Sequence, residues 1–244
     1  MQKILTCPKS EVADFYYKSK INLYNFTIFD MAPRLGTCYI WNETEGKKGS
    51  SEVASGVYNF IDKKQKEGTV EFVFYSDNPT SQNKNRYVFS MYLLASTKYR
   101  VKITHRYLEV GHTQMEVDSM HAAIEKSVKK KEIFSIEEWY SYILDAKKNG
   151  KHRNDPAVKY TIEKVGETYE NLDFKPLAHF DPAKPGIVSI KYNYNSNPIE
   201  VNVKDKRGRP VNLTTYTPGS AYNAKFPLAE NKIKDLKDLI RSVE

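Results

Sequence analysis

Cysteine is nearly absent: Cys7 and Cys38 are the two in 244 residues. They do not form a C-x-x-C pair, which excludes a disulfide framework and a zinc ribbon. No apolar run approaches the ~18 residues that a membrane span needs, so a membrane partner is not expected. The opening stretch MQKILTCPKS has too short an apolar segment for a secretory signal. No glycine-rich phosphate loop and no nucleophile elbow occurs, which leaves a small-molecule enzyme without motif support. Internal repeats and low-complexity tracts are missing as well. A reducing, intracellular compartment is the expectation.

Aromatic residues, in contrast, are plentiful, with 18 Tyr and 11 Phe, and 40% of the chain is hydrophobic. That composition supports a substantial core. The length fits one large domain, or a domain of roughly 150 residues with an appendage. The net charge is +8, an excess that favours an anionic partner such as nucleic acid without identifying one.

The chain is best organised around residues 70–85, VEFVFYSDNPTSQNKN. Residues 70–75 are apolar and aromatic apart from Glu71, so the stretch predicts a central strand covered on both faces. It ends in Ser76-Asp77-Asn78-Pro79. An acid where a buried strand runs out sits in the crevice that open α/β sheets use for chemistry. Gln82, Asn83, Lys84, Asn85 and Arg86 follow at once. The competing reading is an Asp-Asn-Pro turn with no chemistry.

Taken in order, Ile4 and Leu5 predict a stub of strand that Pro8 ends. Residues 15–31 alternate as a long strand, with residues 33–36 as a turn and 37–43 as its hairpin partner. Val53, Ala54, Val57, Phe60 and Ile61 recur at helical spacing, so a helix is expected to about Lys66 after a serine cap. A second helix is expected over 81–98 and a strand over 100–108. Thr113 and Glu116 are spaced as a capping box, which starts a third helix near Gln114. Its stripe would be Val117, Met120, Ile124 and Val128, with Asp118, His121 and Glu125 sharing the neighbouring face. A further amphipathic helix covers 136–148. The basic stretch 147–156 reads as a linker, placing one domain at 1–150 and a small β-rich accessory module at 151–244. That module carries strands at 158–165, 187–194 and 199–203 and a closing helix at 232–243. An antiparallel start followed by alternating strands and helices predicts an α/β fold, a mixed sheet flanked by helices.

Phosphodiester chemistry at divalent metals needs carboxylates converging from separate elements, and Mg²⁺ takes oxygen ligands. Asp77 at a strand end and Asp118 in the first turns of a helix are the candidates. His112, Glu116 and His121 lie near the second in sequence. Asp118 also reads as a helix-start acid favoured by the macrodipole, and the histidines as hydrogen-bonding structure.

Several motifs together resemble a known family: Phe74-Tyr-Ser-Asp-Asn78, Gln82-Asn-Lys-Asn-Arg86, Ile103-Thr-His-Arg-Tyr-Leu-Glu109, Gly111-His-Thr-Gln114, and Glu116, Asp118-Ser119, His121 and Ile124-Glu125. Tyr24-Asn-Phe-Thr-Ile-Phe-Asp30, Tyr39-Ile-Trp-Asn-Glu43 and Lys206-Arg-Gly-Arg-Pro210 match too. The family is an uncharacterised, transposon-derived domain widespread in insect and other invertebrate genes. The resemblance implies a ribonuclease-H-like fold of the transposase and integrase type. It also implies chemistry on DNA with Mg²⁺ or Mn²⁺, and a nuclear location. Asp77 would be the second acid and Asp118 the third, with Glu116 its rival. His112 and His121 would orient neighbours or a substrate phosphate. Gln82, Lys84 and Arg86 are the expected DNA contacts. Lys206, Arg207 and Arg209 join them as an AT-hook-like turn, which also reads as an ordinary Arg-Gly turn. A homo-oligomer is left open.

Two departures from the family pattern bear on these expectations. Pro79-Thr-Ser81 stands where the family shows Cys and Gly. The family's first acid lies on its first strand, and Gln2-Lys3 would align with the end of that strand, so this acid falls upstream of residue 1. The expectations are therefore a truncated first strand, impaired catalysis, and a non-catalytic DNA-binding or protein-interaction module as the alternative.

Overall fold

The computed structural model describes residues 1–77, 84–108, 114–146, 159–164, 179–180, 182–184, 186–191, 195–202 and 212–241. In chain order the elements are β1 (Leu5–Cys7), α1 (Asp14–Tyr17), β2 (Ile21–Asp30), β3 (Leu35–Asn42), α2 (Ser50–Lys66), β4 (Glu71–Ser76), α3 (Arg86–Tyr99), β5 (Lys102–Tyr107), α4 (Glu116–Ser127), α5 (Ile136–Asp145), β6 (Lys159–Lys164), β7 (His179–Phe180), β8 (Ile187–Ile190), β9 (Ile199–Asn202) and α6 (Glu230–Arg241). The fold is mixed α/β, as the alternation of patterns predicts. The described strands form two sheets rather than one. Contacts divide the chain into two compact units, one of residues 1–47, 114–165 and 224–244, the other of 48–113 and 166–223.

The first unit carries the sheet β1-β2-β3-β6. The stub β1 pairs antiparallel with β2, and β2 with β3 is the expected hairpin, in register Thr27↔Cys38. Residues 15–17, expected as the start of a long strand, lie in the single helical turn α1 instead. β6 runs parallel to β3. Helices α4 and α5 cover one face, where Leu23, Cys38 and Ile40 pack with Met120, Ile124, Trp139 and Ile143. On the opposite face Tyr39 and Trp41 are buried beside Phe26 and Tyr24. β3 is thus the strand buried on both faces, because it lies between β2 and β6.

The second unit carries the sheet β4-β5-β7-β8-β9, in which β4 and β5 are parallel and the later pairs antiparallel. β4 corrects the expectation of a central, doubly covered strand. It lies at the edge of its sheet among the described residues, and one face is open: Val73 is 45% and Tyr75 50% exposed. The inner face holds Phe72 stacked on Phe74, which meets Phe60 of α2 and Tyr92 of α3. The outer face is tied to β5 by Glu71 with Lys102 and by Arg106 donating to the Tyr75 hydroxyl. A six-residue apolar run does not distinguish two covered faces from one face plus bulky aromatics turned to solvent.

Capping explains where the helices begin. The Glu52 carboxylate accepts the Gly49 amide at 3.1 Å, so α2 starts at Ser50, capped by a glycine and not a serine. Asn85 accepts the amides of Tyr87 and Val88, which starts α3 at Arg86, five residues later than the pattern predicts. α3 ends where Arg100 adopts φ 56°, and β5 follows directly.

Candidate active site

Asp77 leaves the carboxyl end of β4, beside its parallel neighbour β5. The backbone there is held by a chain of hydrogen bonds from the core. The Tyr92 hydroxyl lies 3.0 Å from His105 Nδ1, and His105 Nε2 lies 2.9 Å from Ser76 Oγ. The Ser76 hydroxyl in turn donates to the Asp77 carbonyl at 2.7 Å. One proton assignment satisfies every link: Tyr92 donates to Nδ1, Nε2–H donates to Ser76, and Ser76 donates to Asp77. Burial keeps the imidazole neutral, pushing its pKa down to about 3. In this tautomer His105 cannot take a proton from Ser76, and a phenol rather than a carboxylate backs its far nitrogen. The trio is therefore a relay that positions Asp77, not a nucleophilic triad.

Cations flank this strand end. His105 stacks on Tyr107 at 4.3 Å, and the Lys84 ammonium stands 5.4 Å from the Tyr107 ring centre. Arg86 donates to the Tyr87 hydroxyl at 2.9 Å and lies over that ring. Both cations are exposed. Gln82 and His112 lie outside the described residues, as do Lys206, Arg207 and Arg209.

The second group of expected residues sits at the start of α4, in the other compact unit. Asp118 is exposed, and its carboxylate accepts the Met115 amide at 2.9 Å. The reciprocal cap expected of Thr113 and Glu116 thus has Asp118 in the Glu116 role, while Thr113 lies outside the described residues. Glu116 is exposed in the first turn. His121 faces inward, 3.0 Å from Thr27 Oγ1. Thr27 donates to Asn25, Asn25 to Gln2, and Gln2 to the His121 carbonyl, which closes a ring of bonds. Burial, aided by the nearby amino terminus and opposed by Asp118, holds the His121 pKa down to about 4. His121 is thus tied into structure by its ring and its carbonyl, and it shares a helix face with Asp118 as the spacing predicts.

Sequence reasoning missed Ser76, Tyr92 and His105 as a linked set, and Gln2, Asn25 and Thr27 as another. The alternation of β2 did carry a signal, since Leu23, Asn25 and Thr27 fall on one face and polar residues on a core face need partners. Nothing in the spacing of Ser76, Tyr92 and His105 links them, because each arrives on a different element. Among the described residues no group of three or more His, Cys, Asp or Glu side chains converges to hold a metal ion.

No curated protein and no solved structure matches the chain. A family model does match, over residues 35–180, more than half of the chain and a span that includes both Asp77 and Asp118. The chain belongs to that family, a domain of unknown function designated DUF7869.

Proposed function

We propose that this chain is a transposase-derived domain of ribonuclease-H-like type that acts, or once acted, on DNA phosphodiesters with Mg²⁺ or Mn²⁺, in the nucleus, with impaired catalysis. The observation that carries this reading is the held end of β4. Asp77 follows a strand paired in parallel, its backbone is anchored by Ser76, His105 and Tyr92, and exposed Lys84 lies on the ring of Tyr107 at the neighbouring strand's end. A carboxylate in that position suits a hard cation, and Mg²⁺ commonly binds through one or two carboxylates plus substrate phosphate oxygens. The metal would supply a Lewis acid for the phosphoryl group. Asp77 would hold it, Lys84 and Arg86 would attract the DNA backbone, and Ser76 would keep the Asp77 backbone from shifting. Asp118 is the second expected ligand, with Glu116 as its rival.

The alternative is a DNA-binding or protein-interaction module without catalysis. It is favoured by the Asp118 carboxylate, which already accepts the Met115 amide as a helix-start acid does. Calorimetric titration with Mn²⁺ separates the two. Binding that is lost in Asp77→Asn, with cleavage or joining of labelled duplex DNA lost in parallel, supports the first reading. DNA affinity that falls steeply with salt, ignores metal and survives Asp77→Asn overturns it in favour of the second.

A further inference from the structure

In the first unit, an apolar cavity of about 380 Å³ is walled by Phe15, Ile21, Phe134, Leu236, Leu239 and Ile240. Phe15 and Leu239 are fully enclosed, while Phe134 and Ile240 stand exposed at the rim. The volume lies within the range of small-molecule sites, which are mostly apolar with a few placed polar groups.

The lining side chains are all apolar, and two cations stand beside them. Lys20 immediately precedes Ile21, and its ammonium stands 6.0 Å from the centre of the Phe15 ring, over the cavity wall. Lys9 follows Pro8, another wall residue, and donates to the carbonyls of Val128 and Lys131. Those acceptors are neutral, so the Lys9 charge is not cancelled. Two acids of α6 lie close to this corner but are committed elsewhere. Asp238 pairs with Lys18 at 2.6 Å, and Asp235 accepts the Ser19 amide at 2.9 Å. Among the described residues neither Lys9 nor Lys20 forms an ion pair. Partial burial and the charge of Lys9 both hold the Lys20 pKa below its usual value. That is the signature of a cation short of an anion.

We propose that this cavity binds an aliphatic carboxylate, the acyl chain lying against the exposed Phe134 and Ile240 and the carboxylate on Lys20. An apolar chain gains by leaving water at roughly 0.8 kcal/mol per buried methylene. The head group supplies the charge that α6 withholds. A neutral alcohol of equal length would leave Lys20 uncompensated, and a cationic amphiphile would be repelled.

The test is calorimetric titration of the full chain with decanoate below its aggregation concentration, with decanol and decyltrimethylammonium as controls. Decanoate is expected to bind saturably. Lys20→Met, its folding checked by circular dichroism, should weaken binding by roughly tenfold or more, as loss of a charge-assisted bond implies. Lys20→Arg should retain it. The proposal is overturned if decanoate does not bind, if decanol binds as tightly, or if Lys20→Met leaves the affinity unchanged. Ile240→Asp at the rim provides a second check, since it should weaken decanoate without touching Lys20. An unaffected affinity there places the chain outside the cavity and likewise refutes the assignment.

Discussion

His105 Nε2 stands 2.9 Å from the hydroxyl of Ser76, and that hydroxyl points on to the carbonyl of Asp77. A buried histidine on one strand thereby holds the end of its parallel neighbour.

Acid should loosen this arrangement. His105 and His121 are both neutral in the fold, held down to about 3 and about 4. In the unfolded chain each titrates near ~6.5. Below that pH the unfolded chain binds protons that the native chain refuses. The stability each neutral ring confers is therefore complete above about pH 6.5 and drains away as the pH falls toward 4. Each histidine should cost on the order of 2 kcal/mol between pH 7 and pH 5. Urea unfolding at the two pH values measures this, and His105→Phe should remove about half of the difference. Identical midpoints in the parent chain would contradict the buried, neutral assignment.

The two faces of β4 should respond oppositely to substitution. Val73 faces solvent, so Val73→Lys should change stability by no more than about 0.5 kcal/mol. Phe72 is enclosed against Phe74, so Phe72→Ala should cost about 3–5 kcal/mol. Chemical denaturation of the pair decides the matter, and a large loss for Val73→Lys would restore the doubly covered strand.

Asp118 can be assigned by separating its acceptor from its charge. As a helix-start acceptor for the Met115 amide, its loss in Asp118→Ala should cost about 1 kcal/mol. Asp118→Asn keeps an acceptor oxygen and should cost less, while still removing metal affinity if Asp118 is a ligand. Thermal unfolding alongside Mn²⁺ titration of both variants separates the structural role from the chemical one.

Both thiols should be inert in the native chain. Burial, with Glu138 and Glu137 nearby, pushes Cys7 up to about 11, and burial pushes up Cys38 despite its hydrogen bonding with Thr27 and Asn25. Since the thiolate is the reactive form, a disulfide reagent should modify them only at the rate of unfolding. Two equivalents should react at once in denaturant, and rapid labelling under native conditions would show the core of the first unit to be open.

Local rules were legible wherever a period or a cap carried the information. The β2–β3 hairpin, the stripe of Met120, Ile124 and Val128 (with Val117 only half-buried), and the positions of β6, β8, β9 and α6 follow from spacing, whereas the two-residue β7 does not. The Asp118–His121 face follows from it as well. Helix starts were less legible. Asn85 and Gly49 cap α3 and α2, although serines stood at plausible positions nearby. A cap is chosen by where the preceding chain arrives, which nearby residue types do not specify.

Residue order and chemistry alone established a mixed α/β chain with an acid at the exit of an aromatic strand and cations after it. Residues 35–180 match the model of a domain family of unknown function, which leaves the transposon-derived reading a proposal. Folding in space settled which strand is buried on both faces, β3 rather than β4, because coverage depends on neighbours distant in sequence. It likewise brought Tyr92, His105 and Ser76 into one line and assigned Asp77 and Asp118 to separate compact units. Hydrogen bonds and burial act across distances of a few ångströms, and one-dimensional spacing constrains those only within an element.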